Sequence, residues 1–437
     1  MKRILLALAV VLSVQAVNAQ VKSPSDAKKA VEAAEAAASD PKKATKVATW
    51  LKLAGTYMDA YAAPAGAGWV GAGKQELQLI LGNDKPTSTE SVTLAGEPYT
   101  KDVFKTRNYY YNGAGVLAVI EVTKPVYKDA LSKALDAYKE AYKVDVKKSK
   151  LKDITAGIQN VSSKFLEDGM TAYMLGDLKA ASRNFEAAAD ARATEPVNEV
   201  DSTAIYNAGF TAWMTEDNER AKKFFEKCVD IKYYEDGEVF AKLGDVYTKL
   251  GDSLSCKMAL EDGFSIFPQN QSILIGLINW YIQSGENPDQ LFTLLDKAKV
   301  NEPNNASLYY VEGDIHNKLG HKDQAIAAYT KAGEINADYE FGWIGIGVLY
   351  YNEAIEIQNK AAAEMDDAKY MKLVEEFEAA LMNAMEPFEK AFATTKDESI
   401  RYTMAEYLKN IYYRFREKDQ KYADAYTKYN EIVANGK

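Results

Sequence analysis

The chain has 437 residues with 53 basic and 63 acidic side chains, so its formal net charge at pH 7 is −10. This balance argues against nucleic-acid binding, which needs a concentrated basic face. The chain has only two histidines. Histidine is the commonest general base, so the composition also argues against an enzyme.

Residues 1–19 have the layout of a secretory signal peptide. Lys2 and Arg3 precede an apolar segment from Ile4 to Val14, and Val17-Asn18-Ala19 supplies a small-residue cleavage site. The apolar segment is well short of the ~20 residues of a spanning helix, although a membrane anchor stays open as the alternative. No Cys lies near the site, which argues against a lipoprotein. We therefore expect export to the periplasm, with outer-membrane association or secretion as further possibilities.

Residues 20–148 are predicted to form an N-terminal cap helix and a first helical hairpin that is split by an insert. The cap helix is polar and Ala-rich, and it runs from Ser25 to Ala38. A helix around Trp50 and Tyr57 then lacks an immediate partner. The matching second helix appears only near Ala134, which leaves a β-rich insert at about residues 64–125.

The insert has the sequence of a small antiparallel sheet. Asn112-Gly113 separates two β-prone segments, which is a strong hairpin signal. The predicted strands are Glu76–Leu81, Ser91–Leu94, Tyr99–Lys105, Asn108–Tyr111 and Gly115–Val122.

Residues 149–338 repeat with a period near 34. Gly169–Asp177 and Gly209–Asp217 have nearly the same sequence, and later glycines recur at Gly251, Gly285 and Gly320. In each repeat, large and small residues alternate on a first helix, a Gly-Asp or similar turn follows, and a second helix carries Ala and an aromatic residue. This period and pattern are typical of stacked helical hairpins, because one hairpin cannot bury its apolar face alone.

On these residues the chain resembles the tetratricopeptide-repeat (TPR) family, with five consecutive repeats in 149–338. The resemblance implies an all-α fold, a TPR α-solenoid in which helical hairpins form a right-handed superhelix, with a small β insert in the first repeat. It also implies an exported bacterial scaffold that binds proteins and is not an enzyme.

The C-terminal part continues the pattern with a second interruption. A repeat begins at Trp343, and its second helix resumes at Ala384 after about 25 inserted residues that lack Pro and Gly. Residues 339–396 are therefore predicted to form a TPR with an extended helical arm. Residues 397–437 are predicted to form a capping hairpin.

Motifs for chemistry are sparse, and no catalytic, cofactor-binding or metal residue is predicted. His316 and His321 are five residues apart, which is not one helix face, so we interpret them as a packing residue and a turn residue. Cys228 and Cys256 fit small buried positions, with a disulfide left open. Neither a nucleophile elbow nor a phosphate-binding loop is present. Two triplets resemble acceptors for bacterial O-glycosylation and equally resemble helix caps, namely Asp201-Ser202-Thr203 and Asp252-Ser253-Leu254.

The resemblance places the partner on the concave face, which the first helices of successive repeats line. The alternative is that the same stripe packs against the insert or a neighbouring repeat. Helical spacing selects a groove that is aromatic and Met-rich at one end and amide-rich further on. The predicted groove residues are Met170, Tyr173, Met174, Tyr206, Phe210, Trp213, Met214, Asn279, Tyr310, Asn317, Lys318 and Tyr351.

The expected function is that of an adaptor in the Gram-negative envelope, acting in assembly or secretion through a protein or peptide partner. Glycan or nutrient capture is the alternative, and a hydrolase that uses the insert is a remote one. We expect no cofactor, no nucleic acid and no membrane span. The sequence leaves the partner and the oligomeric state open.

Overall fold

A computed structural model describes residues 22–285 and 289–435. The described residues form helical hairpins and one four-stranded sheet, in two compact units that divide between Tyr233 and Tyr234. None of the described helices combines the length and the apolar character that crossing a membrane requires. The predicted signal peptide, residues 1–19, lies outside the described residues.

The first unit contains nine helices within its described residues. They are α1 (Pro24–Ala38), α2 (Pro41–Ala44), α3 (Val47–Ala62), α4 (Lys74–Leu81), α5 (Ala130–Val144), α6 (Leu151–Met174), α7 (Leu178–Ala193), α8 (Ser202–Met214) and α9 (Asn218–Asp230). Helix α3 packs on α5, α6 on α7, and α8 on α9. Because α3 and α5 pack together across the insert, the first hairpin is an interrupted one, as the sequence predicts.

The insert folds into an antiparallel sheet in the order β1-β2-β3-β4. Its strands are β1 (Ser88–Leu94), β2 (Glu97–Val103), β3 (Arg107–Tyr111) and β4 (Leu117–Val122). Tyr109, Tyr111 and Leu117 are buried in its small core. The Tyr109 hydroxyl donates to the Ala65 carbonyl at 2.6 Å, which ties the sheet to the chain that leaves α3.

The prediction of a strand at Glu76–Leu81 is wrong, because this segment is the helix α4. A strand would place Leu77, Leu79 and Leu81 on one face. Instead Leu77 is buried and Leu81 packs on the same core, whereas Leu79 is 85% exposed. The two core contacts, from Leu77 and Leu81, are therefore four residues apart, as in a helix.

The hairpin around Asn112 forms, but its turn is longer than the two-residue Asn-Gly turn that the sequence suggested. The Asn112 side-chain oxygen accepts from the backbone N–H groups of Ala114 and Val116. Gly115, not Gly113, has the positive φ of 73° that reverses the chain. The register of the β3–β4 pair also shifts between Tyr110 and Tyr111.

The second unit contains ten helices within its described residues. They are α10 (Glu238–Leu250), α11 (Ser253–Ile266), α12 (Gln271–Ser284), α13 (Asp289–Asn301), α14 (Ala306–Lys318), α15 (Lys322–Ile335), α16 (Phe341–Ala363), α17 (Asp367–Thr394), α18 (Glu398–Phe415) and α19 (Gln420–Asn435). Helices α16 and α17 pack along each other as a long hairpin, and α18 packs on α19.

Small residues allow the helices of each hairpin to approach closely. A Cβ atom built on Gly169 would lie 2.7 Å from the ring of Phe185, and one on Gly313 would lie 2.4 Å from the ring of Tyr329. Ordinary carbon contacts are about 3.5–4.0 Å. Each pair joins a glycine on the first helix to a large residue on the second, which is the contact that the repeat pattern predicts.

The Gly-Asp turns end one helix and begin the next. Gly251 has a φ of 76° and closes α10. The Asp252 carboxylate then accepts from the Ser255 N–H at 3.0 Å, which caps α11.

Candidate partner-binding surface

Three aromatic residues form a continuous stripe on α8, which with Met214 we call the α8 stripe. The rings of Tyr206 and Phe210 stack at 6.0 Å between centroids, and those of Phe210 and Trp213 also stack at 6.0 Å. All three side chains are half-buried, and Met214 at the end of the stripe is 41% exposed. The three rings therefore pack on one another and remain partly accessible to solvent.

The residues of α8 opposite the stripe are buried. Ala204, Ala208 and Ala212 are buried. A Cβ atom on Gly209 would meet Phe224 at 3.0 Å, so α8 and α9 are close here. Residues at i, i+4 and i+7 lie on one helix face, and in α8 that face carries the rings.

Tyr233 extends the stripe, and sequence reasoning missed it. Its ring lies 6.0 Å from that of Tyr206, which also contacts Phe225 at 6.1 Å. Tyr233 follows the end of α9, so no helical period could have placed it here. The local sequence carries no signal for this contact.

The predicted groove residues on α6 contribute less than expected. Met170, Tyr173 and Met174 are half-buried on one face of α6. Among the described residues, no ring contact joins Tyr173 to the α8 stripe. The structure thus brings Tyr206, Phe210 and Trp213 together in one half-buried ring cluster that does not include Tyr173.

A hydrogen bond links the first helices of two successive hairpins. The Tyr61 hydroxyl of α3 donates to the Asp168 carboxylate of α6 at 2.7 Å. Burial raises the pKa of Asp168 to about 6, against the hydrogen bond from Tyr61, which lowers it. No local sequence pattern predicts this pair, because 107 positions separate the two residues.

In the second unit, Tyr310 lies in an aromatic cluster of its own. Its ring is 5.6 Å from Tyr329, 6.2 Å from Tyr339 and 6.0 Å from Phe341. The Tyr329 hydroxyl donates to Asp314 at 2.7 Å, and burial raises the pKa of this carboxyl. Tyr310 therefore packs beside a half-buried carboxylate, that of Asp314.

The other predicted groove residues of the second unit do not form a cluster. Asn279, Asn317 and Lys318 are exposed. Tyr351 instead packs in the arm hairpin, 4.9 Å from Tyr407 and 6.3 Å from Phe388. The first unit thus holds the most coherent aromatic surface of the predicted set.

The two histidines lie in different elements and contact each other. His316, in α14, packs on the Phe292 ring, and His321 is the exposed N-cap of α15. Their Nδ1 atoms lie 3.4 Å apart, a contact that helical spacing does not predict across the turn. The described residues contain no group of three or more His, Cys, Asp or Glu side chains placed to hold a metal ion.

The cysteines and the two candidate glycosylation triplets lie in ordinary structural positions. Cys228 and Cys256 are both buried thiols. Asp201 and Asp252 cap α8 and α11, and Ser202 and Ser253 are the first residues of those helices.

Two segments of this chain are similar to a known repeat family. A sequence model described as a tetratricopeptide repeat matches residues 202–234 and 306–339. A TPR repeat-containing protein of Methanocaldococcus jannaschii is 44% identical over 50 residues, which are 11% of this chain and 9% of that protein. A tetratricopeptide repeat protein from Parabacteroides merdae is similar in structure over 63% of this chain and 92% of its own, with 15% identity and a TM-score of 0.30. YrrB, described as a TPR protein with an unusual peptide-binding site, matches over 48% of this chain and 96% of its own, with 18% identity and a TM-score of 0.26.

Stacked hairpins with a glycine on one helix against a large residue on the next form a helical-repeat fold. The two matched segments cover residues 202–234 and 306–339, and repeats of this kind support a protein–protein interaction scaffold. The first matched segment, 202–234, contains the whole α8 stripe.

Proposed function

We propose that this protein is an exported adaptor that holds a protein or peptide partner against the α8 stripe. The observation that carries the proposal is the stacked series Tyr206–Phe210–Trp213 on the first helix of a matched repeat. Trp and Tyr are enriched among the residues that dominate binding energy.

The arrangement of the stripe suits a binding surface. The rings already rest on one another, so little side-chain entropy is lost when a partner covers them. Met214 supplies a flexible and polarisable edge, which can adapt to the partner's shape. The binding energy is therefore expected to come from Trp213 and its neighbours on α8.

The envelope location rests on the signal-peptide layout of residues 1–19, and it remains part of the proposal. An exported scaffold without catalytic groups would act by holding other proteins together in envelope assembly or secretion. No observation on the described residues favours glycan capture or hydrolysis over this role.

Site-specific photo-crosslinking in the source cells tests the proposal. A photoreactive amino acid is placed at Met214 and, as a matched control, at Lys227, which is exposed on α9 of the same hairpin. The proposal expects a discrete crosslinked protein from position 214 and not from position 227. The same products from both positions, or none from position 214, would contradict it.

A further inference from the structure

The chain has only two histidines, and the fold brings them together. Their Nδ1 atoms are 3.4 Å apart, and their ring centroids are 5.6 Å apart. We infer that His316 and His321 form a binding site for a divalent transition-metal ion such as Zn²⁺.

The backbone fixes the two rings relative to each other. His316 lies in the last turn of α14, and His321 is the N-cap of α15. Gly320, with a φ of 77°, reverses the chain between them, and the His321 N–H donates to the His316 carbonyl at 2.8 Å. The pair is thus held by the turn of the repeat and does not depend on long flexible side chains.

A neighbouring ring also orients His316. The Phe292 ring stacks on it at 4.5 Å between centroids and at 30° between planes. Because His316 is half-buried and His321 is exposed, one ligand is held rigidly and the other faces the solvent from which an ion would enter.

The distance between the two nitrogens favours coordination. Zn–N bonds are about 2.0–2.1 Å, so two nitrogens 3.4 Å apart subtend about 110° at a shared ion, close to the tetrahedral angle. In the metal-free chain the two nitrogens share a hydrogen bond in which one ring donates and the other accepts. An ion would replace the shared proton and bind the lone pairs of both nitrogens.

The site would leave coordination positions open. Glu312, one turn before His316, forms an ion pair with Lys299 at 2.9 Å. With two protein ligands, water or a side chain of a bound partner would complete the coordination. Imidazole is a common ligand of both Zn²⁺ and Cu²⁺. Cu²⁺ should bind more tightly, because it has the higher affinity in the Irving–Williams order of divalent metal ions.

The test is a titration of the full chain, free of any affinity tag, with Zn²⁺ and separately with Cu²⁺, followed by calorimetry and thermal unfolding. His321→Asn is the main variant, because His321 is exposed and its replacement should leave the apo protein folded. We expect one ion to bind per chain, to raise the Tm by mass action, and to bind at least about tenfold more weakly to His321→Asn, since even the loss of an outer-shell partner costs 10–100-fold.

NMR of the histidine side chains gives an independent readout, since only two residues contribute signals. We expect the Nδ1 resonances of both histidines to shift together when Zn²⁺ is added. The inference is overturned if the native protein shows no saturable Zn²⁺ response, or if His321→Asn binds Zn²⁺ with unchanged affinity. Perturbation of only one histidine would also overturn it.

Discussion

Gly244 offers the sharpest test of how the hairpins pack. A Cβ atom at this position would lie 2.7 Å from Leu260 Cδ2 and 2.8 Å from Leu260 Cγ. Leu260 is 2% exposed, and its Cδ2 would also lie 2.9 Å from a Cβ atom on Gly276. Because Leu260 is enclosed on two sides by glycines, it has no space into which it could move.

We therefore expect Gly244→Leu to destabilise the second unit. Overpacking of a well-packed core costs about 1–3 kcal/mol. Replacement of a helical glycine also stabilises the folded state by roughly 0.5–1 kcal/mol, because the unfolded chain loses backbone freedom. The difference between these two ranges is a net loss of about 0–2.5 kcal/mol, and the branched side chain should place it in the upper half of this range.

Gly55 is the matched control, since it is also inside a helix but nothing lies within 4 Å of a Cβ atom built there. Gly55→Ala should stabilise the protein slightly, by roughly 0.5–1 kcal/mol. The pair of variants separates the packing effect from the general effect of replacing a helical glycine.

The assay is thermal unfolding followed by circular dichroism, with native-state hydrogen exchange of α10 and α11. Exchange is needed because repeat proteins often do not unfold in one step. The double variant Gly244→Ala/Leu260→Ala should show a coupling energy of about 0.5–3 kcal/mol, since the two side chains share one space. If Gly244→Leu leaves both unfolding and exchange unchanged, the helix contact described here is wrong.

Two further predictions concern the first unit and the N-terminus. Asp168 has a folded-state pKa of about 6, above its ordinary value of 3.8, so the folded state binds more protons than the unfolded state between these values and stability falls as the pH rises through this window. Asp168→Asn should therefore raise the free energy of unfolding at pH 7.5. The gain is at most about 3 kcal/mol, and solvent screening of the half-buried side chain makes it smaller. It should disappear near pH 4, and a pH-independent effect in urea unfolding would refute this. The exported protein should begin at Gln20, and mass spectrometry that finds Met1 in the membrane fraction would refute the predicted location.

The hairpins could be predicted because their main contact is local in sequence. The glycine and its large partner are sixteen residues apart in Gly169–Phe185, Gly244–Leu260 and Gly313–Tyr329. Helical period and turn residues therefore suffice to find these repeats. The same contact in the arm hairpin joins Gly347 to Phe388, and the repeat pattern on both sides of the inserted residues shows where it resumes.

The contacts that could not be predicted lie outside the helical period. Tyr233 reaches the α8 stripe from a turn, and Tyr61 reaches Asp168 across the whole insert. Helix α4 was not predicted because the alternation of Glu76-Leu77-Gln78-Leu79 is typical of a strand, whereas Leu77 and Leu81 also satisfy the spacing of four that a helix requires. The histidine pair was missed because helical spacing does not apply across the turn at Gly320.

The most direct test of the central claim is the affinity of the crosslinked partner, once purified, for native protein and for Trp213→Ala. Replacement of a central aromatic anchor typically costs at least about 2 kcal/mol, which is roughly 30-fold in Kd. Lys227→Ala, on the second helix of the same hairpin, is the control and should change Kd little. The account predicts this loss for Trp213→Ala with an unchanged circular dichroism spectrum. An unchanged Kd, or loss of binding only because Trp213→Ala unfolds the protein, would contradict the claim that the α8 stripe anchors the partner.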